Sequence, residues 1–289
     1  MFLKHKIVGI VACMLVFSSC TIVTSGFDQN EPLPPSADVP VWEVGDTWVY
    51  DSEFWVSSTE ITSEGMIFAG GGRYVLEVVD DAGDNYKLKA KVEPVCGKVT
   101  WGRFGFISTR LSSYNADIEI QKSDLGVIKH DAWMKAITWL SIGRIKLPIP
   151  IQIQTYRNTE FDPAFSILPF PLHDGDSGTY TNSSISEETV TSMFWGLIVT
   201  GSDDNINWHL GDVDYTVSYE SMDVKAGTYD VFNVAGELFG GDEGHDYYHL
   251  YYSEEVGNLV KLEINIDYFS TGETYYYTEL ELVSTNYSP

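Results

Sequence analysis

The strongest constraint on this chain is a two-residue alternation of apolar and polar side chains, which recurs from Pro40 onward. Runs of this kind lie at 86–93, 147–154, 213–220 and 260–269. Successive side chains of a strand point to opposite faces, so each run predicts a strand with one buried face and one wetted face. Antiparallel sheets are built from strands of this type.

Turn residues separate these runs and set the expected architecture. Asp80–Asn85, Lys225–Thr228 and Ser270–Glu273 each contain glycine between two alternating runs, which is typical of hairpins. Only 131–140 and 187–199 show spacing that suits a helix, and both also suit a strand. We predict a mainly β fold, a curved antiparallel sheet or half-barrel of roughly ten to twelve strands with one or two short helices.

Two prolines distinguish one of the runs from the others. Pro148 and Pro150 alternate with the apolar residues of 147–154. Proline has no N–H to donate to a neighbouring strand, so the pattern predicts an edge strand.

The first twenty residues predict export from the cytoplasm. A basic start, Met1–Lys6, precedes an apolar run at 7–17 and then Ser18, Ser19 and Cys20. A run of about eleven apolar residues is too short to span a membrane, which takes about twenty. The order of basic, apolar and small residues is that of a cleavable signal peptide at 1–20.

Phe17–Cys20 resembles the lipobox of prokaryotic lipoproteins, with phenylalanine where leucine is usual. The resemblance implies a lipid on Cys20, which would anchor the protein to the outer face of the membrane in the cell envelope. The alternative is an ordinary signal peptide and secretion. Residues 21–39 are rich in proline and polar residues and predict a disordered linker before a β-rich extracytoplasmic domain at 40–289.

The charge of the chain excludes one class of partner. The sequence has 42 acidic and 17 basic residues, a formal net charge of −25. Such a charge repels the phosphates of nucleic acid, so we expect no nucleic-acid partner. A membrane reached through the N-terminal lipid and a hydrophobic small molecule are the expected partners, and nothing in the sequence points to a protein partner.

A faint internal repeat divides the domain. Pro40–Tyr50 and Pro171–Tyr180 share a proline, a Gly-Asp pair and a closing tyrosine. Related halves at 40–165 and 166–289 would explain this match. The alternative is that Gly-Asp pairs begin many unrelated strands.

The richest polar cluster, Gly240–His249, suggests a weak metal site. Its candidate ligands are Asp242, Glu243, His245 and His249. Imidazoles and carboxylates are common metal ligands, but a third converging ligand is not visible, and a solvated hairpin is the alternative. Calcium at the acidic turns is a weaker expectation, since none has the spacing of an EF-hand loop. No other cofactor is expected.

No motif for catalysis is present in the sequence. It contains neither a Gly-x-Ser-x-Gly elbow nor a phosphate-binding glycine loop, so we expect no enzyme, with a hydrolase using dispersed carboxylates as a remote alternative. Asn182 and Asn286 match the N-glycosylation pattern and are weak modification candidates.

One resemblance covers roughly 211–283. The segments 225–232 and 251–263 are similar to a pattern in uncharacterised prokaryotic cell-surface proteins, "AGTFD" followed by "YYSPEVGxVVK", with Glu255 in place of the proline. Those proteins distantly resemble periplasmic lipoprotein carriers, which implies a half-barrel that holds acyl chains in its concave face. A lipid-binding surface lipoprotein is one expectation. A structural or adhesive envelope module that binds carbohydrate or protein through exposed aromatics is the alternative.

Overall fold

The computed structural model describes most of the chain from residue 35 onward. The described residues are 35–58, 66–81, 83–93, 95–101, 105–142, 145–146, 151–166, 168–180, 184–194, 197–204, 213–237, 247–268 and 274–289. Every regular element among them is a β-strand, which confirms the predicted mainly β fold; neither of the predicted short helices is found among the described residues. Within these ranges there is no helix of the length and apolarity that a membrane span requires.

Eighteen strands are described in chain order. They are β1 (Ser36–Ala37), β2 (Thr47–Ser58), β3 (Met66–Asp80), β4 (Asn85–Val92), β5 (Val95–Trp101), β6 (Gly105–Gln121), β7 (Val127–Ile142), β8 (Ile145–Lys146), β9 (Ile151–Phe165), β10 (Leu172–His173), β11 (Ser177–Tyr180), β12 (Ser184–Phe194), β13 (Leu197–Asp204), β14 (Val213–Val224), β15 (Gly227–Glu237), β16 (Tyr247–Ser253), β17 (Asn258–Tyr268) and β18 (Thr274–Thr285).

Sixteen of these strands form one antiparallel sheet, and β1 pairs separately with β10. The sheet order is β11-β14-β15-β16-β17-β18-β2-β3-β4-β6-β7-β9-β12-β13, with β5 beside β3 and β6, and β8 beside β7. Two six-stranded meanders lie within this order. The first is β2-β3-β4-β6-β7-β9, and the second is β11-β14-β15-β16-β17-β18. They join where β18 pairs with β2.

The alternation in the sequence becomes a buried face and a wetted face. On β4, Tyr86, Leu88 and Ala90 are buried, whereas the three lysines between them are exposed. The buried side chains of both meanders form a single hydrophobic cluster. We call the buried face of the sheet the inner face and the opposite one the outer face.

The sheet curves around its inner face. The N–H of Ala226, in the turn between β14 and β15, donates to the carbonyl of Leu282 on β18 at 3.0 Å. The ammonium of Lys225 lies 3.3 Å from Asp51 and 3.0 Å from Glu281. These contacts join the β14–β15 turn to β18 and β2, which lie three to five places away in the sheet order, so the second meander must fold back on itself. The curved antiparallel sheet predicted from the sequence is therefore confirmed.

Two tryptophans hold the turn between β16 and β17 against the inner face. The indole Nε1–H of Trp42 donates to the carbonyl of Gly257 at 2.7 Å. That of Trp48 donates to Val256 at 2.8 Å, and the two rings are 5.1 Å apart. Both tryptophans are almost completely buried, and each indole N–H finds its acceptor in a backbone carbonyl of the β16–β17 turn, far along the chain.

The end of the predicted linker at 21–39 belongs to the folded domain. Ser36 pairs with His173 and Ala37 pairs with Leu172, so β1 and β10 form a small two-stranded sheet. Ala37 and Leu172 are both fully buried. The rest of the linker, 21–34, and the signal segment 1–20 lie outside the described residues.

Both stretches that suited either a helix or a strand are strands where they are described. Residues 131–140 lie within β7, and 187–199 fall in β12 and β13. Long-range pairing explains the outcome, because β7 is hydrogen-bonded along its length to β6 and β9. Tertiary contacts of this kind override a weak local preference.

The predicted edge position of 147–154 is wrong. β9 begins at Ile151 and is paired on both sides, with β7 and with β12. Both prolines precede the strand and lie outside the described residues, so they remove no hydrogen bond from its described part.

The two turns that suggested a repeat make matching backbone hydrogen bonds. In the first, the Gly45 N–H donates to the Val78 carbonyl at 2.8 Å, and the Val78 N–H donates to Asp46 at 2.9 Å. In the second, the Gly-Asp pair at 175–176 bonds to Val217 in the same way, at 3.0 and 2.8 Å. Both glycines have positive φ, 101° and 86°, a conformation that other residues rarely adopt. The match supports the predicted relation between the two halves.

Trp48→Phe tests the role of the indole bonds. The substitution keeps a ring but leaves the buried Val256 carbonyl without its donor, so the free energy of unfolding should fall by about 1–3 kcal/mol. Urea denaturation followed by circular dichroism measures the change. Val41→Ala is the control, because Val41 is 76% exposed and should change stability by less than about 0.5 kcal/mol. Equal effects of the two substitutions would contradict the assignment.

Candidate functional site

Two aromatic side chains, the half-buried Trp133 and the exposed Tyr156, lie on the outer face of neighbouring strands. Trp133 on β7 lies directly opposite Asn115 on β6 and Tyr156 on β9. Their chain neighbours Ala132 and Arg157 are buried on the inner face, so the pleat turns Trp133 and Tyr156 outward. Tyr156 is 41% exposed, one of the few large apolar side chains left in contact with solvent. Directly opposed Cβ atoms lie about 5 Å apart, so the two side chains start as neighbours on this face, and we call the pair the aromatic patch.

Amide and carboxylate groups surround this patch. Asp131 and Asn158 are directly paired on the same two strands, each two residues along its strand from Trp133 or Tyr156. The amide of Asn158 donates to Asp131 Oδ1, and the Tyr156 hydroxyl donates to the same oxygen at 3.4 Å. We call Asn115, Asp131, Trp133, Tyr156 and Asn158 the Trp133 surface.

A lysine at the border of this surface is engaged by two acids. Lys129 Nζ lies 2.8 Å from Glu160 and 3.8 Å from Asp131. The hydrogen bond to Glu160 raises the pKa of Lys129 above its ordinary value. The positive charge is therefore held by acids at the border, and the surface itself presents rings, amides and a carboxylate.

The arrangement is suited to binding a molecule that has both apolar faces and hydroxyl groups. An indole and a phenol ring offer flat apolar area together with a polar edge. Asparagine amides both donate and accept hydrogen bonds, whereas the carboxylate of Asp131 accepts only. This mixture of aromatic and polar side chains is typical of ligand-binding surfaces.

Most of the residues predicted as sites from the sequence lie outside the described residues. These are Cys20, Asn182, Asp242, Glu243 and His245. Lipidation, modification at Asn182 and the metal site in the 240–249 segment therefore stay predictions. In the described part of the chain, no three histidine, cysteine or acidic side chains converge as metal ligands would.

His249, the described member of the predicted metal set, lies on the outer face of β16. Its Nδ1 is 3.1 Å from Asn233 Oδ1, and its ring is 5.9 Å from Tyr251 in a stacked arrangement and 5.5 Å from Tyr247 edge-on. In this structure the imidazole belongs to a row of aromatic rings.

Asn286, the described glycosylation candidate, clamps the C-terminus to the start of β2. Its Oδ1 accepts the N–H of Thr47 at 2.6 Å, and its Nδ2 donates to the carbonyl of Gly45 at 3.0 Å. The side chain therefore has a structural role at the first Gly-Asp turn.

A second polar cluster is buried on the inner face beneath the Trp133 surface. His130 is 1% exposed, and its Nε2 lies 3.3 Å from the Tyr114 hydroxyl. Arg157 is 6% exposed, and its Nε donates to Thr159 Oγ1 at 3.3 Å. Three alanines share the row of Arg157 across the sheet, which leaves space for its long side chain; they are Ala90, Ala116 and Ala132.

Comparison with known proteins adds nothing to this geometry. No family model, no curated protein and no solved structure matches the chain. The relation to prokaryotic surface lipoproteins stays a prediction, so function has to be argued from the residues themselves.

The Trp133 surface was not predicted from the sequence. Residues 131–140 suited either a helix or a strand, and nothing singled out Tyr156. A signal was present, because Lys129, Asp131 and Lys135 alternate with buried residues and place Trp133 on the charged side of a strand. An aromatic residue on the charged side of a strand is a candidate for binding.

The buried imidazole predicts a specific pH dependence. Burial, and to a smaller extent the charge of Arg157, lowers the pKa of His130 to about 4. An unfolded histidine has a pKa of about 6.5, so protonation favours the unfolded state as the pH falls from 6.5 towards 4. Between pH 7 and pH 4.5, the free energy of unfolding of His130→Leu should fall by about 2–3 kcal/mol less than that of the wild type. Urea denaturation at the two pH values measures the difference.

Tyr114→Phe is the matched variant for this experiment, because it removes the neighbouring hydroxyl and keeps the imidazole. It should lose stability with pH as steeply as the wild type. Parallel pH profiles for His130→Leu and the wild type would show that His130 is not responsible.

Proposed function

We propose that this protein is an exported, non-enzymatic binding module that holds carbohydrate on its outer face at the Trp133 surface. One observation carries the proposal: Trp133 and Tyr156 are cross-strand partners on the wetted face, bordered by Asn115, Asp131 and Asn158. Apolar rings that serve packing alone belong on the inner face, where burial stabilises the fold by about 25 cal/mol per Å². An aromatic pair on the wetted face of a sheet, set among hydrogen-bonding groups, indicates recognition.

The chemistry of the surface favours sugars of a particular kind. A sugar ring has an apolar face that can lie on an aromatic ring, and its hydroxyls can bond to amides and carboxylates. The formal net charge of −25 opposes polyanions at long range. We therefore propose that the ligand is a polysaccharide of neutral sugar units.

The described inner face offers less support for the other predicted function, a lipid held in the concavity. Trp42, Trp48 and Tyr252 are each about 1% exposed or less and fill that side of the sheet. Phe170 packs edge-on against Tyr252, with ring centroids 5.1 Å apart. The space over this part of the inner face is thus occupied by the chain's own side chains, so lipid binding there remains a prediction from the sequence.

Attachment through Cys20 would suit a module of this kind. A lipid at that position and the linker after it would place the domain outside the cell, where the outer face can meet polysaccharide. The signal-like order of the first twenty residues supports this part of the proposal.

Trp133→Ala and Tyr156→Ala test the proposal. Each removes part of the aromatic patch, so affinity for a neutral polysaccharide should fall at least about tenfold, equivalent to roughly 1.4 kcal/mol or more. Affinity electrophoresis through gels that contain dextran, mannan, galactan or xylan measures the change, and an anionic polymer such as alginate should not retard the protein.

Tyr219→Ala is the control for these variants. Tyr219 is 38% exposed, close to the value for Tyr156, but lies on β14 in the other meander. It should leave affinity unchanged. If Tyr219→Ala and Tyr156→Ala weakened the retardation equally, the binding would be nonspecific aromatic contact. That result would reject the site. Binding to proteins but to no neutral polysaccharide would reject the ligand class.

A further inference from the structure

The two meanders match strand for strand when their hydrogen-bond registers are followed outward from the Gly-Asp turns. The turns equate Val78 of β3 with Val217 of β14. From each of these two valines, the directly paired residue can be followed from one strand to the next, which gives one series of residues in each meander. In the first meander the series is Val78, Leu88, Ile118, His130 and Thr159, and in the second it is Val217, Val234, Leu250, Leu262 and Leu280. Every strand of one meander therefore has a defined counterpart in the other.

The residues of the Trp133 surface also have equivalent positions in the second meander. Asn115, Trp133 and Tyr156 correspond to Tyr247, Asn265 and Tyr277, which are again directly paired across three strands. Asp131 and Asn158 correspond to Glu263 and Glu279. We call Tyr247, Glu263, Asn265, Tyr277 and Glu279 the Asn265 surface.

The matching positions also repeat the chemistry. The Tyr277 hydroxyl donates to Glu279 Oε2 at 2.5 Å, as the Tyr156 hydroxyl donates to a carboxylate in the first meander. Lys261 lies 2.6 Å from Glu263 and 3.3 Å from Glu279. Lys129, at the position equivalent to Lys261, is likewise held between two acids. A phenol bonded to an acid and a neutralised lysine are therefore common to both surfaces.

Asn265 supplies an independent indication that a ligand is bound. Its side chain lies between Tyr247 and Tyr277 and is 8% exposed. Its Oδ1 is buried and accepts no hydrogen bond in the structure. Buried polar atoms are nearly always paired, so an orphaned oxygen calls for an explanation. Because the oxygen itself is covered, a sugar hydroxyl would satisfy it by inserting between Tyr247 and Tyr277.

We propose that the Asn265 surface is a second carbohydrate site, equivalent to the Trp133 surface, and that the protein is bivalent for a neutral polysaccharide. This inference rests on the proposed function for the kind of ligand. Six strand-to-strand steps separate β9 from β18, about 30 Å across the sheet. A long polymer can engage both surfaces at once, and such linkage strengthens binding without new contacts.

Isothermal titration with short neutral oligosaccharides separates the two sites. The probes are tetrasaccharides of glucose, mannose, galactose and xylose. The wild type should bind two equivalents of the accepted sugar. Trp133→Ala and Tyr277→Ala should each bind one equivalent, and the double variant should bind none. For the matching long polysaccharide, either single variant should lose at least tenfold in apparent affinity.

Asn265→Leu separates a ligand site from a structural role. Because it removes an orphaned buried oxygen, the folded protein should keep or gain thermal stability while losing one equivalent of sugar. Tyr219→Ala, on β14 and outside both surfaces, should still bind two equivalents. A loss of stability in Asn265→Leu without a change in stoichiometry would show that Asn265 is structural and overturn the second site.

The outcomes distinguish this inference from the function on which it rests. One equivalent in the wild type, abolished by Trp133→Ala and unaffected by Tyr277→Ala, overturns the second site and leaves the proposed function intact. No binding of any neutral sugar by the wild type overturns both.

Discussion

The indole N–H bonds of Trp42 and Trp48 to the β16–β17 turn are the contacts that join the inner faces of the two meanders. They join residues 215 and 208 positions apart in the chain. An open antiparallel sheet with one apolar face must cover that face or leave it in water. This chain covers it by curling, so that the inner faces of both meanders meet in one cluster. The tryptophans contribute apolar area to that cluster, and they also satisfy carbonyls that the curl buries.

The side chains of the inner face pack against one another, so the outer face is the one that can bind a ligand. There the pleat presents polar and charged side chains, and aromatic rings stand among them at Trp133, Tyr156, Tyr247 and Tyr277. The Trp133 surface and the Asn265 surface occupy corresponding positions of two meanders that share their strand order and register. When a strand order and register are repeated, equivalent side-chain positions lie on the same face in both halves. A position that binds a ligand in one half therefore has an equivalent in the other. The two surfaces differ in detail, with Trp133 in one and Asn265 in the other.

Local pattern and long-range pairing account for what the sequence could and could not predict. The lysines of β4 and the apolar residues between them were assigned to opposite faces correctly, because alternation is a local property. The place of β9 in the sheet was predicted wrongly, since two prolines suggested an edge, whereas pairing with β7 and β12 puts the strand inside. Residues 131–140 were ambiguous for the same reason: only the neighbouring strands decide between a helix and a strand there. The relation between the two Gly-Asp turns was visible in the sequence, and the matching bonds to Val78 and Val217 support it.

The sequence by itself determined the class of fold, the polarity of each strand face and the acidic character of the surface, because these follow from composition and a two-residue period. Only the tertiary structure decided which strands are neighbours, and therefore that Trp133 lies opposite Tyr156, that Asn265 lies between two tyrosines, and that Arg157 shares a row with three alanines. The physical reason is that a side chain's face is set by its own strand, whereas its cross-strand partners are set by register. Register arises from turns, bulges and the closing of the core, which involve residues far apart in the chain.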